Sequence, residues 1–315
     1  MKPEIAVLDA ATLGADLDLS PLSGVGCVTV YPNTSPDEVQ EKLADTDVCI
    51  INKVKLGEKN LAGCSRLKLI CIAATGYDNV DTEYCRRAGI AVCNVVGYST
   101  ESVAQLTAGM VLYLANRTPD YVAAVKSGSY SSGTTANILT PVYHELCGKT
   151  WGIAGYGHIG RRVGEIARAF GCRVIAYRRT PDPDCTDIDT LCRESDILSV
   201  HLPLNDGTRN LFSAEKISML RSGCIFINVA RGAVCDEKAL ADAVLAGRLG
   251  GLGVDVYTKE PFPAGHPYTS LLSLDNVILT PHCAWGSYEA RCRCLEEIIL
   301  NIRAFYSGSS RCRVD

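Results

Sequence analysis

Three ionisable side chains of different types follow three apolar segments in the second half of the chain. Arg231 comes after "IFINV", Glu260 lies in the loop after "GLGVDV", and His282 comes after "NVILT". An arginine, a glutamate and a histidine at one place can bind a carboxylate, polarise a carbonyl and exchange a proton. Taken singly, each of them could be an ordinary loop or turn residue. Their shared position after strands of one sheet therefore indicates a shared role.

The elements that must position these side chains are strands of parallel sheets covered by helices. Short apolar, β-branched runs alternate with helical patterns along the chain, which is typical of an α/β fold. In open sheets of this kind, ligands bind beyond the carboxyl ends of the strands. The first hundred residues predict strands at 4–9, 27–31, 48–51, 67–73 and 90–95, with helices near 35–44 and 81–88. The later residues predict strands at 150–155, 172–177, 196–200, 224–229, 251–256 and 276–280, and a last helix at 287–308.

The order of these elements predicts two doubly wound domains. We expect residues 1–98 and 287–315 to form one domain, because the last helix should return to the first sheet. Residues 99–286 should form the other domain, whose six predicted strands are what a dinucleotide-binding sheet requires. The helix predicted from Ser99 is apolar nearly all round, which indicates burial between the domains or in a subunit interface. Residues 127–141 are rich in Ser, Gly and Thr and predict a functional or subunit-contacting loop.

The segment "GYGHIG" at 155–160 has the pattern of a dinucleotide-binding turn, placed between a predicted strand and a predicted helix. Gly155 would permit the tight turn, and Gly157 would let the backbone approach a pyrophosphate at the helix N-terminus. Gly160 would let the helix pack closely on the strand. A tight turn without a ligand has the same pattern, since glycine-rich turns are common.

The end of the second predicted strand indicates which dinucleotide is bound. An acidic residue about 20 positions after the glycines normally binds the ribose 2′-hydroxyl. This chain instead has Arg178 and Arg179 in "YRRT". Arginine can bind a 2′-phosphate through charge-assisted hydrogen bonds, so the sequence favours NADP(H) over NAD(H). The alternative is that one arginine only stacks on adenine and the site accepts both.

The composition limits the partners and the compartment. The chain has 315 residues, of which 47% are hydrophobic and 21% charged, and its net charge of −4 gives no reason to expect nucleic acid or a membrane as partner. The N-terminal segment "MKPEIAVLDA" predicts a strand and not a signal peptide, so we expect a cytoplasmic protein.

The 16 cysteines include no C-x-x-C pair. We expect reduced thiols that pack as small apolar side chains, and no metal site.

In these motifs the chain resembles the D-isomer-specific 2-hydroxyacid dehydrogenase family. The matching motifs cover nearly the whole chain, and the finer pattern is most similar to the glycerate dehydrogenase/hydroxypyruvate reductase branch. The resemblance implies that residues 99–286 are a Rossmann dinucleotide-binding and dimerisation domain, inserted in a flavodoxin-like substrate (catalytic) domain of residues 1–98 and 287–315. It also implies a homodimer. The motifs are "ATGYDNVD" (74–81), "NVVGYSTESVAQLT" (94–107), "GYGHIG" (155–160), "HLPL" (201–204), "NVARGAVCDE" (228–237), "GVDVYTKEP" (253–261) and "LTPHCAW" (279–285).

The resemblance also implies roles for individual residues. His282 would be the proton donor and acceptor, Glu260 its orienting carboxylate, and Arg231 the substrate-binding group. Asp255 would hold the nicotinamide carboxamide. The substrate-binding residues would be Asn52, Thr75, Gly76, Arg231, His282 and Trp285. The cofactor-binding residues would be Val103, Gly155, Gly157, His158, Ile159, Arg178, Arg179, His201, Leu202, Pro203, Thr208, Val229, Ala230, Arg231, Asp255, His282 and Ala284.

The expected reaction is reduction of a small 2-oxo acid, of the hydroxypyruvate or glyoxylate type, to the D-2-hydroxy acid by hydride transfer from NAD(P)H. His282 can deliver the proton because histidine changes charge near neutral pH. D-lactate, 3-phosphoglycerate or a bulkier aromatic 2-oxo acid are alternative substrates. A different class of protein, a corepressor-like protein that senses the dinucleotide without catalysis, is also an alternative.

Overall fold

The computed structural model of the chain describes residues 2–178, 180 and 185–315. The chain divides into two compact units, Met1–Ser99 with Trp285–Asp315 and Thr100–Ala284. Relative to the expected boundaries, Ser99, Trp285 and Gly286 move to the first unit. The reason at Trp285 is packing, because its ring meets the edge of the Tyr98 ring at a centroid distance of 6.2 Å.

The first unit contains a five-stranded parallel sheet in the order β2-β1-β3-β4-β5. This 2-1-3-4-5 order is the flavodoxin-like order, as predicted. The two central strands β3 and β4 are buried along their whole length, which explains why their sequences are continuously apolar and not alternating. The strands are β1 (Glu4–Val7), β2 (Cys27–Val30), β3 (Val48–Ile51), β4 (Leu69–Ile72) and β5 (Ala91–Cys93), and the helices are α1 (Val39–Lys42), α2 (Glu58–Leu61) and α3 (Thr82–Ala88).

The last helix of the chain, Tyr288–Tyr306, belongs to the first unit. Its N-cap is Ser287, whose Oγ accepts the Ala290 N–H at 3.3 Å, a standard way to satisfy the first turn. Its buried side chains, among them Leu295, Ile298 and Ile302, share a core with β1, β3 and β4. The apolar stripe of the helix therefore closes one face of the first sheet.

The second unit contains a six-stranded parallel sheet in the order β11-β10-β9-β8-β6-β7. The strand order reverses at β6, and such a switch point is where doubly wound sheets bind ligands. The strands are β6 (Thr150–Ala154), β7 (Arg173–Tyr177), β8 (Ile197–Val200), β9 (Cys224–Asn228), β10 (Leu249–Val254) and β11 (Val277–Leu279). The helices are α4 (Thr100–Ala115), α5 (Thr118–Lys126), α6 (His158–Ala169), α7 (Ile188–Glu194), α8 (Ala214–Ser218) and α9 (Glu237–Leu245), and the Tyr288–Tyr306 helix of the first unit is α10.

Helix α4 is partly buried by its own unit. Its buried residues, which include Val103, Met110 and Leu114, pack on α6 and on the β9–β11 part of the sheet of the same unit. Glycines in β10 allow this close packing, since a Cβ at Gly251 would meet Leu114 side-chain atoms at 3.2 Å. The apolar composition of α4 is therefore explained by burial inside its own unit.

The predicted strands match the observed ones to within a few residues, but the short helices were missed or misjudged. The helix expected near 35–44 is reduced to the four residues of α1, and α2 and α5 were not predicted. Helix α5 buries none of its residues, so it lacks the apolar stripe that reveals a helix in sequence. Among the described residues, no helix is both long and apolar enough to cross a membrane.

Candidate active site

The structure joins two of the three predicted catalytic residues directly. The Nδ1 atom of His282 and the Oε2 atom of Glu260 are 2.6 Å apart. A carboxylate only accepts hydrogen bonds, so Nδ1 carries the hydrogen of this contact. The side chains are 18% and 31% exposed, so the pair is shielded but still reachable from solvent.

The backbone of His282 is fixed by the ends of β10 and β11. His282 has a positive φ of 54°, and its N–H donates to the Thr280 carbonyl at 3.0 Å. The buried Asp255 carboxylate, directly after β10, accepts bonds from Thr280 Oγ1 (2.6 Å), Cys283 N (2.9 Å) and Ala284 N (2.9 Å). Asp255 thus holds both sides of the His282 turn, a role that the sequence did not reveal.

Cys283, the residue after His282, is exposed in this turn. Burial of its sulfur and the neighbouring Asp255 carboxylate raise the pKa of its thiol. A raised pKa keeps the group as a thiol, which is a poor nucleophile.

Arg231 follows β9, the neighbour of β10 in the sheet. Its loop is fixed by Asn228, whose amide donates to the Arg231 carbonyl at 3.0 Å and accepts the Ala230 N–H at 3.0 Å. The next residue, Gly232, lies against the loop that carries Glu260. A Cβ at Gly232 would be 2.1 Å from the backbone of Tyr257 and Thr258, so only glycine permits this contact.

Tyr257 connects the Glu260 loop to the His282 turn. Its N–H donates to Oε1 of Glu260 at 2.9 Å, and its hydroxyl donates to the Thr280 carbonyl at 2.9 Å. Thr280 O is also the acceptor of the His282 N–H. The strand ends of β9, β10 and β11 thus bring the Arg231, Glu260 and His282 segments to one edge of the sheet.

The glycine turn has the geometry needed for a phosphate group. Gly155 has a φ of 102°, and a Cβ there would be 2.7 Å from the His201 backbone. A Cβ at Gly160 would be 2.1 Å from the Gly155 carbonyl, so glycine lets α6 approach β6. At Gly157, the N-cap of α6, no described heavy atom lies within 4 Å of the position of a Cβ. Gly157 and His158 are exposed, and the N–H groups of a first helical turn have no partner within the helix, so this turn suits an anionic group.

The predicted ribose-binding position lies next to this turn. The Gly155 N–H donates to the Tyr177 carbonyl at 2.9 Å, and Arg178 is the next residue and is exposed. Arg179, the second predicted arginine, lies outside the described residues.

His201, also predicted to bind cofactor, follows β8 beside the glycine turn. Burial lowers the pKa of its ring from 6.5 to about 3, so the ring is neutral. Nε2 bonds to Ser199 Oγ at 3.0 Å, whereas Nδ1 has no hydrogen-bond partner among the described residues. A buried polar nitrogen without a partner is uncommon and is consistent with a ligand that approaches it.

The other predicted cofactor residues surround the same strand ends in different ways. His158 and Ile159 begin α6, and Pro203 is exposed after β8. Thr208 is buried, and its hydroxyl closes a turn by donating to the Pro203 carbonyl at 2.6 Å. Ser102 Oγ donates to the Ala284 carbonyl at 2.6 Å, which brings the start of α4 to the His282 turn. Buried apolar residues of the predicted set are Val103, Leu202, Val229, Ala230 and Ala284.

The remaining predicted substrate residues lie in the first unit. Thr75 Oγ1 donates to the Val95 carbonyl at 2.8 Å, and the Thr75 carbonyl accepts from Asn94 at 2.7 Å. The N–H groups of Thr75 and Gly76 have no acceptor among the described residues, which suits backbone binding of a carboxylate. Asn52 is buried and its amide donates to Thr12 Oγ1 at 3.0 Å, whereas Trp285 is partly buried.

Known families and proteins match both units. A family model described as the NAD-binding domain of D-isomer specific 2-hydroxyacid dehydrogenase matches residues 108–284, more than half of the chain. The chain belongs to the D-isomer specific 2-hydroxyacid dehydrogenase family. It is 33% identical over 279 residues to a glycerate dehydrogenase of Methylorubrum extorquens, a match that covers 88% of each chain. It is also 32% identical over 317 residues to a hydroxypyruvate reductase of Blautia hydrogenotrophica, covering 97% of this chain and 98% of that one.

Solved structures agree with this assignment. An acyclic imino acid reductase, Bsp5, solved with NADPH and D-Arg, is 27% identical to this dehydrogenase and superposes with a TM-score of 0.88. That match covers 99% of this chain and 100% of the other. The predicted fold class is confirmed, and the chain is an oxidoreductase that acts on CH–OH groups with a nicotinamide dinucleotide.

Proposed function

We propose that this dehydrogenase reduces a small 2-oxo acid, of the hydroxypyruvate or glyoxylate type, to the D-2-hydroxy acid. The observation that carries the proposal is the 2.6 Å bond between His282 and Glu260, at the strand edge that also carries Arg231. The names of the relatives, a glycerate dehydrogenase and a hydroxypyruvate reductase, support the substrate class.

His282 supplies the proton in this mechanism. Glu260 accepts the Nδ1 hydrogen, which sets the ring orientation and assigns proton exchange with the substrate oxygen to Nε2. In the opposite direction the same ring must start neutral and accept a proton, so low pH favours reduction and high pH favours oxidation.

Arg231 binds the substrate and stabilises the charge that develops on its carbonyl oxygen. Its guanidinium presents a planar set of donors that matches a carboxylate. Within the protein, one of these donors, Nη1, contacts the Ala230 carbonyl at 2.8 Å. That contact holds the side chain beside its own loop and prepares it for an anionic substrate.

The glycine turn, α6 and the neutral His201 ring fit a dinucleotide, since the first turn of α6 is exposed and His201 Nδ1 has no hydrogen-bond partner among the described residues. Gly155, Gly157 and Arg178 would hold its phosphate and ribose parts. The reduced nicotinamide supplies the hydride when it is bound. We propose that the cofactor is NADPH in preference to NADH, because Arg178 directly follows the strand that accepts the Gly155 N–H.

A panel assay tests the reaction and the cofactor together. Glyoxylate, hydroxypyruvate, pyruvate, 3-phosphohydroxypyruvate and phenylpyruvate would be offered with NADPH and with NADH, following nicotinamide absorbance. We expect the highest kcat/KM with one of the first two acids and NADPH. Turnover with none of these acids would contradict the proposed reaction and favour a sensing role for the dinucleotide.

One substitution tests the cofactor preference alone. Arg178→Asp replaces a phosphate-binding cation with an acceptor for the ribose 2′-hydroxyl. We expect kcat/KM for NADPH to fall about 10-fold or more and the NADPH-to-NADH preference to reverse, as expected for the loss of one charge-assisted contact. Unchanged kinetics with both cofactors would show that Arg178 does not bind the 2′-phosphate.

We further propose that the chain forms a homodimer through the surface of α5 and the following loop. Tyr121 and Tyr143 pack edge to face at 5.8 Å, which joins the two segments into one surface. Val125, Leu139 and Val142 on these segments are 59%, 68% and 71% exposed, and exposed apolar patches mark interaction sites. The double variant Leu139→Glu, Val142→Glu should sediment as a monomer. A wild-type chain that is already monomeric at micromolar concentration would refute the proposal.

A further inference from the structure

The loop that carries Glu260 is held by a second glutamate. Tyr257 N donates to Oε1 of Glu260 at 2.9 Å, and the next N–H, that of Thr258, donates to Oε1 of Glu237 at 2.9 Å. Two consecutive backbone N–H groups thus end on two different carboxylates. The conformation of this loop therefore depends on Glu237 as well as on Glu260.

The second glutamate is itself paired with a histidine. Oε2 of Glu237 lies 3.0 Å from Nε2 of His266, and the two side chains are only 12% and 6% exposed. His266 Nδ1 accepts the Tyr268 N–H at 3.2 Å, so Nε2 carries the hydrogen that Glu237 accepts. Both oxygens of Glu237 and both nitrogens of His266 are thereby used within the protein.

Aromatic packing fixes the far side of the same loop. Phe262, two residues after Glu260, packs on the Tyr257 ring at 4.7 Å and on the His266 ring at 5.0 Å. His266 in turn packs on Tyr268 at 5.0 Å. The residues on both sides of Glu260 are thus attached to one buried group, the Glu237–His266 pair.

Glu237 is well placed to anchor this assembly because it is the first residue of α9. The N-cap of α9 is Asp236, which accepts the Ala239 N–H at 2.9 Å. A carboxylate in the first turn is stabilised by the positive end of the helix dipole. The anchor therefore belongs to a helix packed on the sheet and not to the loop that it holds.

We infer that Glu237 and His266 are positioning residues, which hold the Glu260 loop so that the Glu260 carboxylate stays on His282 Nδ1. The inference rests on the proposed function of the Glu260–His282 pair. The Glu237–His266 pair then affects turnover through Glu260 and does not contact the substrate. A shift of Glu260 by about 1 Å would be sufficient to slow the reaction, because proton transfer depends steeply on geometry.

A double-mutant cycle separates positioning from a general structural role. Glu237→Gln keeps the shape but leaves either Thr258 N–H or His266 Nε2–H facing an amide donor. We expect kcat to fall about 5- to 20-fold, with the dissociation constant of the cofactor changed less than about 2-fold. In a Glu260→Ala background the same substitution should lower kcat less than about 2-fold, since the group it positions is gone. Equal losses in both backgrounds would overturn the inference.

The matched control uses another carboxylate of α9. Asp242 pairs with Lys238 at 2.6 Å on the exposed face of the helix. Asp242→Asn changes the same charge on the same helix and should leave kcat within about 2-fold of wild type. A loss as large as that of Glu237→Gln would show that the charge of α9, and not the contact to Thr258, is what matters.

Two amide substitutions at His266 test which ring nitrogen carries the effect. His266→Gln can place an amide N–H near the position of Nε2 and keep the bond to Glu237. His266→Asn can place its carbonyl near the position of Nδ1 and keep the bond from Tyr268. Positioning through Glu237 predicts a kcat at least about 3-fold higher in the Gln variant. A kcat that simply follows the melting temperatures of the two variants would contradict it.

A spectroscopic readout is independent of turnover. The chain has five histidines, so the Nδ1–H signal of His282 can be assigned by NMR with labelled histidine. The signal should be protected from exchange in the wild type and lost or broadened in Glu237→Gln. If the wild type reduces no 2-oxo acid, the proposed function fails but this measurement still decides the coupling. A His282 signal that is unchanged in the variant would refute the coupling even in an active enzyme.

Discussion

In both sheets the strand order reverses at the first strand, β1 in the first unit and β6 in the second. The residues that follow these two strands differ, because one is a buried carboxylate and the other is a glycine. In the first unit, β1 is followed by the buried Asp9, whose carboxylate accepts N–H groups of Asn52 (2.9 Å), Lys53 (2.6 Å) and Val54 (3.0 Å) at the end of β3. In the second unit, β6 is followed by Gly155, and the N-terminus of α6 faces open space.

The difference shows how one architecture gives a closed site in one unit and an open site in the other. A carboxylate that accepts three backbone N–H groups does within the chain what a bound phosphate does at a helix N-terminus. The first unit therefore fills its switch point with its own side chain. The second unit leaves the space for a ligand and places ionisable side chains at the ends of the neighbouring strands.

The largest effect on turnover should come from the strand ends of the second sheet that carry the proposed catalytic residues. His282→Ala removes the proton donor and should lower kcat by about 10² to 10⁴, the usual contribution of general acid–base catalysis. Because His282 lies in a surface turn with a partly exposed side chain and not in a core, the free energy of unfolding should change by about 1 kcal/mol or less. Rapid-mixing kinetics with NADPH and glyoxylate, with urea unfolding alongside, would check both. A variant with near-normal turnover would remove His282 from the mechanism.

The next largest effect should come from a substitution that places a carboxylate in the open switch point of the second sheet. Gly157→Asp places a carboxylate at the N-cap of α6, where the extended backbone (φ −87°, ψ −154°) accepts aspartate and where aspartate is a favourable cap. Cofactor affinity should fall about 100-fold or more, because the carboxylate repels the dinucleotide phosphates. The melting temperature should stay the same or rise.

Gly157→Ala is the control for this experiment. Its added methyl group also meets no described atom within 4 Å, but it carries no charge. The loss of affinity, measured by titration calorimetry, should be less than about 10-fold. Equal losses of cofactor affinity in the two variants would mean that the added bulk, and not the added charge, weakens binding at this turn.

The third substitution removes the carboxylate that fills the switch point of the first sheet. Asp9→Ala leaves the N–H groups of Asn52, Lys53 and Val54 without their acceptor. The free energy of unfolding should decrease by about 3 kcal/mol, since a buried donor without a partner costs about 1 to 3 kcal/mol and water can compensate in part. Asp18→Ala, which removes an exposed carboxylate that accepts bonds from Ser20, should change it by less than about 0.5 kcal/mol. Urea unfolding measures both, and an unaffected Asp9→Ala protein would contradict the structural role.

Sequence reasoning could predict the strands and the glycine turn because both depend on local composition. Continuous apolar runs such as β3 and β4 follow from burial, and Gly155 and Gly160 follow from contacts with the immediately neighbouring strand. The pairing of Glu260 with His282 was predicted only through family resemblance. The two residues are separated along the chain, and their meeting depends on the paths of two loops.

The same reasoning missed the groups that hold the site. Asp255, Tyr257 and Glu237 act through hydrogen bonds between the ends of different strands, and such partners have no fixed spacing in sequence. Asp9 lies at the end of the first predicted strand, and its role was missed because its three donors lie more than 40 residues away. What covers α4 could not be predicted for a related reason. A helix that is apolar nearly all round shows that it is buried but not what covers it.

The smallest expected effect concerns the opposite end of the first sheet, where Asp47 provides a second structural carboxylate. Burial acts to raise its pKa, but bonds from Arg66, Glu4 N and Lys68 outweigh burial and lower the pKa from 3.8 to about 2. The folded protein thus holds the ionised form down to a lower pH than the unfolded chain does. Its contribution is complete above pH 4 and is lost as the pH falls from about 4 to 2.

Asp47→Asn should therefore decrease the free energy of unfolding by about 1 to 2 kcal/mol at pH 6, a value that allows for the exposure of Arg66 and Lys68. The difference between wild type and variant should shrink towards pH 3, because wild-type Asp47 gains less from ionisation there. Denaturant unfolding at pH 6, 4 and 3 would show this narrowing. A constant difference across that range would mean that shape and hydrogen bonding, and not charge, make Asp47 structural, as hydrogen bonding does for Asp9 at the other end of the sheet.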